Sequence, residues 1–164
     1  MSDAKDIINT FWNKLDDSPF VMVGLPALSE HSEPMTAYFD RGLPNRLFIY
    51  LAKDNRLCQG LMSGRRDAML QYVAKDHDFF ACLKGTIELV EDNALLDKFW
   101  NDNVAEWFEG GRHDPKLTMV QVGLDEAEMW TSDMSVKGKL KLALSGNLDR
   151  DELDASHARV AMGG

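Results

Sequence analysis

The sequence predicts an α+β fold, an antiparallel β-barrel with helices packed around it. Three observations lead there. About seven apolar runs read as strands, against three or four segments with helical spacing. The strands lie close together in sequence with few long crossovers, which disfavours a parallel doubly wound sheet. The run "FFACLKGTIELVED" changes at Gly85 from apolar to alternating, and a glycine inside a strand marks a bulge or bend of the kind a closed barrel needs.

The elements follow in order. Ile7, Ile8, Phe11, Trp12 and Leu15 recur at helical spacing with polar residues between them, predicting an amphipathic helix that ends before Ser18-Pro19. Three short strands are predicted next, Phe20 to Leu25, Met35 to Phe39 and Leu47 to Leu51, arranged as a meander and separated by Pro26, Pro34, Gly42 and Pro44. A short helix over Asn55 to Ser63 turns Leu57, Leu61 and Met62 inward, and strands follow at Met69 to Ala74 and Phe79 to Val90. One helix is predicted over Asn93 to Phe108, stopped by Gly110-Gly111. Two separate strands begin at Leu117 and Ala127. A lysine-bearing segment, Val136 to Leu144, reads as a solvated face, and residues 147–164 read as a polar, frayed tail.

The whole chain of 164 residues is the size of one domain, 1–164. A formal charge of −9 opposes broad contact with nucleic acid or an anionic membrane, so an anionic ligand would need a local basic patch. No apolar run approaches the roughly 20 residues that span a bilayer. Cys58 and Cys82 form no CxxC pair and the N-terminus is not signal-like, so free thiols in a reduced, cytoplasmic setting are expected.

Nucleotide-binding glycine loops, HExxH, GxSxG and paired CxxC motifs are all absent. His31, His77, His113 and His157 are scattered, and no metal site is expected from them. What remains is the tetrad Lys53-Asp54-Asn55-Arg56, where a core strand passes into a helix. Asp54 or Asn55 is suited to cap that helix, while Arg56 in its first turn opposes the helix dipole. The tetrad reads either as a phosphate grip, with Arg65 and Arg66 a weaker candidate, or as a solvated turn whose cations pair with surface carboxylates. Spacing alone favours the second. Trp12, Trp100, Trp107 and Trp130 fall on core-facing positions, Trp130 being the one best placed to reach a flat ligand or a partner subunit.

The order of several segments adds to this reading. Phe11-Trp12, "PMTAYF" from Pro34, "LFIYLAKDNRL" from Leu47, "GTIELVED" from Gly85, "FWNDNVAEWFEGG" followed by "DPKL", and "AEMW" occur together over most of the chain. In joint order and spacing they resemble the pyridoxamine 5'-phosphate oxidase-like FMN-binding split barrels of general stress protein 26 type. The resemblance implies a mainly β fold, a six-stranded antiparallel split barrel with flanking helices, forming a homodimer with FMN at the subunit interface. Met35 and Thr36 match residues at the flavin ring. Ile49, Tyr50 and Leu51 match the strand along the ring and ribityl chain, and Asp54, Asn55 and Arg56 match the phosphate turn, with Lys53 placed to assist. Trp130 matches an aromatic that approaches the flavin from the other subunit. The chain departs from the pattern at Asp54 for a small hydroxyl residue, at Asn55-Arg56 for an Arg-Lys pair, at Tyr50 for Thr and at Glu33 for Arg. It also lacks the C-terminal Arg-Pro-His type motif of true pyridoxamine-phosphate oxidases.

The expected function is therefore FMN binding with flavin-dependent oxidoreductase activity linked to stress response. The alternative is a non-catalytic flavin-binding or sensing protein. FAD, a deazaflavin and heme are the alternative cofactors. No general acid or base stands out, and no nucleic acid, membrane or metal partner is expected.

Overall fold

The computed structural model describes residues 2–131 and 157–162. Helix α1 (Ser2–Asp17) opens the chain and buries Ile7, Phe11, Trp12 and Leu15 on one face. The strands are β1 (Phe20–Gly24), β2 (Glu33–Thr36), β3 (Arg46–Ala52), β4 (Arg66–Val73), β5 (Phe79–Val90), β6 (Leu117–Thr131) and β7 (His157–Ala161). Between them lie helices α2 (Arg56–Gly60), α3 (Asn93–Phe99) and α4 (Asp102–Ala105). Six strands form an antiparallel, nearly closed barrel in the order β2-β1-β4-β5-β6-β3, and β7 adds to β6. The two end strands meet at one bridge, where Tyr38 exchanges backbone hydrogen bonds of 2.8 Å with Phe48 of β3.

Side-chain alternation fills the barrel. Val21, Val23, Leu47, Ile49, Leu51, Leu70, Tyr72, Leu83, Ile87, Val120 and Val122 share one core with Phe11 and Leu15 of α1. Helix α1 covers the end at the β4–β5 turn. There Phe11 meets Tyr72 edge-on at 5.9 Å, and the Tyr72 hydroxyl donates between the carbonyls of Lys14 and Ser18, at 2.8 and 2.9 Å. At the other end, where β3 passes to β4, α2 inserts Leu57, Cys58 and Leu61. A second core lies outside the barrel, where Phe48 and Met119 pack under Leu96, Val104 and Phe108 from the α3–α4 segment.

Several elements differ from expectation for identifiable reasons. The helix predicted over Asn93 to Phe108 is two helices, because Asn101 is extended (φ −154, ψ 172) and its side chain accepts from the Asn103 and Val104 amides, capping α4. The two late strands are one. A register shift opposite Lys84/Gly85 leaves Asp125 as an extra residue in β6, so Val120, Val122 and Leu124 face the core before it and Ala127 and Met129 after it. This is the bulge that Gly85 signals, and a side chain there would put its Cβ 2.0 Å from the Gly123 carbonyl oxygen.

The expected meander stops at β1–β2, since β3 pairs along β6 instead. Met62 points outward at 67% exposure, and Trp107 is 84% exposed rather than core-facing. Within the expected tail, residues 157–161 form β7, and Met162 is buried with its N–H bonded to the Asp125 carbonyl. The lysine-bearing segment 136–144 lies outside the described residues. Among the described residues no helix is long and apolar enough to cross a membrane.

Candidate functional site

Strand β3 presents two faces and one open edge. Ile49 and Leu51 point into the barrel core at 1% and 4% exposure, and their peptide groups face β6, whereas those of Tyr50 lie on the same side as the Phe48 groups that meet Tyr38. Tyr50 points outward, but its phenol is already engaged: the hydroxyl donates to the Leu96 carbonyl at 2.5 Å, and the ring meets Tyr38 and Trp100 edge-on at 5.7 and 5.8 Å. Burial in this second core holds the phenol well above its usual pKa, so it stays protonated.

The edge of β3 that faces β2 opens beyond Phe48. Continuing the register of the Tyr38–Phe48 bridge would set Thr36 opposite Tyr50 and Pro34 opposite Ala52, yet neither pair joins a ladder among the described residues. Strand β2 turns instead to β1, where Met35 pairs with Val21 and Thr36 with Phe20. The result is a seam between β2 and β3. Half-buried Met35 and Thr36 belong to the strand on one bank, and the backbone from Ile49 to Leu51 forms the other. An open strand edge with unpaired peptide groups is a natural place for a flat, hydrogen-bonding ligand.

The tetrad stands at the end of this seam. Lys53 and Asp54 are exposed. The capping task falls to Asn55, whose side-chain oxygen accepts from the Leu57 amide at 2.7 Å, and not to Asp54. Arg56 reaches back to β2. Its Nε lies 2.5 Å from one carboxylate oxygen of Glu33 and 3.8 Å from Glu30, and an Nη donates to the His31 carbonyl at 2.9 Å. The other Glu33 oxygen accepts from Asn55 Nδ2 at 3.1 Å. Thus Glu33 ties the turn to β2 across the seam, and Arg56 is paired as the solvated-turn reading expects.

Beneath the turn Cys58 is free and buried, and burial pushes its thiol up while Lys53 draws it partly back. At the far end of the segment Arg66 donates to the Gly60 carbonyl at 2.6 Å, fastening the end of α2, while Arg65 is exposed.

Trp130 is not brought to the turn. The turn sits beside the start of β6, where the Lys53 amide donates to the Lys116 carbonyl, and Trp130 lies opposite Phe80 near the end of β6. At about 3.3 Å per residue, that is roughly 40 Å along the strand. Residue spacing gave no sign of the Glu33 contact, because the pairing depends on β2 and the turn meeting across the barrel.

A cleft of about 470 Å³ lies between α1, the loop after β2 and α3, lined in part by Trp12, Phe39 and Phe99. Its cations are already engaged. Lys98 pairs with Asp40 at 2.7 Å, holding that carboxyl below its usual range, and Arg41 lies over Trp12 while donating to Asn9 and Asn13.

The family model described as "Pyridoxamine 5'-phosphate oxidase like" matches residues 6–154. Among solved structures, the general stress FMN/FAD binding protein of Xanthomonas citri is 32% identical, with a TM-score of 0.73 over 79% of this chain and 91% of that one. A protein of Xanthomonas campestris pv. campestris assigned to a general stress family is 34% identical, with a TM-score of 0.74 over 81% and 92%. A Jannaschia sp. CCS1 protein assigned to general stress protein 26 shares the fold at 22% identity, with a TM-score of 0.75 over 98% and 99%. No curated protein matches the chain.

Proposed function

The chain belongs to the pyridoxamine 5'-phosphate oxidase-like family, and from that premise we propose that it binds FMN in the β2–β3 seam, in a homodimer, and acts as a flavin-dependent oxidoreductase. The observation that carries this reading is the seam itself, with the Lys53–Arg56 turn at its end. Met35 and Thr36 would flank the isoalloxazine, and the backbone of Ile49, Tyr50 and Leu51 would run along the ring and ribityl chain, with the Tyr50 peptide groups turned toward it. Lys53, Asn55 and Arg56 would face the phosphate. The bound flavin would supply the redox chemistry, and the protein placement and electrostatics. The ring-binding part of the seam fits this group; the phosphate end fits it only if Arg56 is released from Glu33.

An exposed apolar row on the outer face supports the dimer. Phe20 is 63% exposed, Met22 39% and Val73 51%. Continuing the β1–β4 register by two residues sets Phe20 beside Val73, which pairs with Phe80, which pairs with Trp130. A row of this kind suits burial against a second copy. Pairing there would place Trp130 at the interface between the two copies.

Flavin absorbance in the purified protein, or saturable binding when FMN is titrated, is the expected result. A colourless protein that binds no FMN would overturn the reading, and a heme or deazaflavin spectrum would redirect it. Turnover with reduced nicotinamides above that of free FMN distinguishes the oxidoreductase from a flavin-binding or sensing protein. Sedimentation reports the dimer.

A further inference from the structure

We propose that Glu33 is the specificity-determining residue of this site, an internal anion that competes with a ligand's phosphate for Arg56, so that the site holds flavin by its ring and polyol and gains little from the phosphate. This rests on the flavin reading above.

The geometry is that of an occupied anion position. Glu33 offers one carboxylate oxygen to Arg56 Nε at 2.5 Å and the other to Asn55 Nδ2 at 3.1 Å, using two side chains of the turn at once. Charge-assisted contacts of this type are the strong ones, and phosphate would need the same donors. Arg56 is further committed to the His31 carbonyl at 2.9 Å. The cavity beside these groups, lined by Glu30, His31, Glu33 and Arg56 against Val23, Gly24, Leu25 and Leu57, holds only about 10 Å³. That is room for roughly one water, not for a phosphate group.

Charge points the same way. Glu30, Glu33 and Asp54 surround the turn against Lys53 and Arg56. A phosphate monoester brings about −1.5 to −2 more at neutral pH. For Arg56 to hold it, Glu33 must leave the guanidinium and either turn to water or face the phosphate. A neutral polyol brings no charge and creates no such conflict, so the Glu33 pair with Arg56 stays intact when it binds.

The test is a parallel titration of FMN and riboflavin, in phosphate-free buffer, into the full chain and its Glu33→Gln variant. Glutamine keeps the size of the side chain and an oxygen for Asn55, and removes the charge. The wild-type protein should bind FMN and riboflavin within about threefold of one another. Glu33→Gln should tighten FMN by tenfold or more, leave riboflavin within twofold, and lose the gain when Arg56→Ala is added.

A hundredfold wild-type preference for FMN overturns the inference with no variant needed. So does an unchanged FMN affinity in folded Glu33→Gln, and either result leaves the flavin reading standing. Failure of both flavins to bind wild type and variant removes the flavin reading itself, and this inference with it.

Discussion

Replacing Gly85 with alanine puts a methyl group where β5 and β6 have no room for one. The new Cβ would stand 2.0 Å from the Gly123 carbonyl oxygen, 2.9 Å from its carbon and 3.2 Å from the Leu124 Cα. All three are backbone atoms, so no side chain can swing aside. Ordinary contact would need the strands to part locally by more than about 1 Å, against an inter-strand spacing of about 4.8 Å. Overpacking of this kind costs about 1–3 kcal/mol. Two weakened ladder bonds at the bulge add about 1 kcal/mol each. A stiffer unfolded chain offsets about half a kcal/mol. The expected loss is about 2.5–4.5 kcal/mol. With a urea slope of about 2 kcal/mol/M, the midpoint falls by about 1.2–2.2 M. Gly123→Ala supplies the comparison, since its nearest neighbour would be the Thr86 carbonyl oxygen at an unstrained 3.9 Å, and its loss should stay under about 1 kcal/mol. Urea unfolding followed by tryptophan fluorescence measures both. Equal losses for the two variants, or a loss under about 1 kcal/mol for Gly85→Ala, would refute the reasoning.

Other perturbations test the site and its supports. Arg56→Ala should weaken FMN binding by about 1 kcal/mol or less, below the 1.5–3 kcal/mol of an uncontested charged hydrogen bond, because Glu33 already holds the guanidinium at 2.5 Å; isothermal titration reads the difference, and a loss of a hundredfold would show that the phosphate wins Arg56 outright. Asn55→Ala should cost about 1 kcal/mol of stability through loss of the α2 cap, whereas Asp54→Ser, at an exposed position without that task, should leave stability within about 0.5 kcal/mol and FMN affinity equal or better. Burial raises Tyr72 from 10.0 to about 12. Between those values the unfolded tyrosine has lost its proton while the folded one keeps it, so stability present below pH 10 is lost as pH rises toward 12. Tyr50 acts in the same direction. Urea midpoints from pH 9 upward should fall less steeply for Tyr72→Phe, and an unchanged slope would remove Tyr72 from the account.

The sequence carried the parts of the fold that local chemistry writes. Gly85 announced a bulge, and Phe79 to Val90 emerged as a strand with those bounds. Helical spacing placed Phe11 and Leu15 in the core, where both are fully buried. The errors came where a long-range partner or a single side chain decides. Asn101 reads as one more polar residue in a helical pattern until its side chain caps α4. β3 lies close to β2 in sequence but pairs along β6, a choice made by the whole barrel. The turn Lys53 to Arg56 was visible as a cluster of charge. Its partner Glu33 was visible only as an anion in a family position of opposite sign. That the two meet in one ion pair depends on how β2 and α2 are carried together in space.

The extra residue in β6 has a bearing on how this family can vary. Ahead of Asp125 the even-numbered side chains look inward, and behind it the odd-numbered ones do. The residue is a change of phase, and its carbonyl also accepts from the Met162 amide. Removing it would trim the bulge and nothing more. With Asp125 gone, Leu124 would still point inward, Glu126 outward, and Ala127 and Met129 inward, in unbroken alternation against the same β5 partners. The bulge is therefore a place where β6 can lose a residue and keep both faces, whereas a loss within the regular ladder acts as a frameshift in space while leaving the reading frame intact.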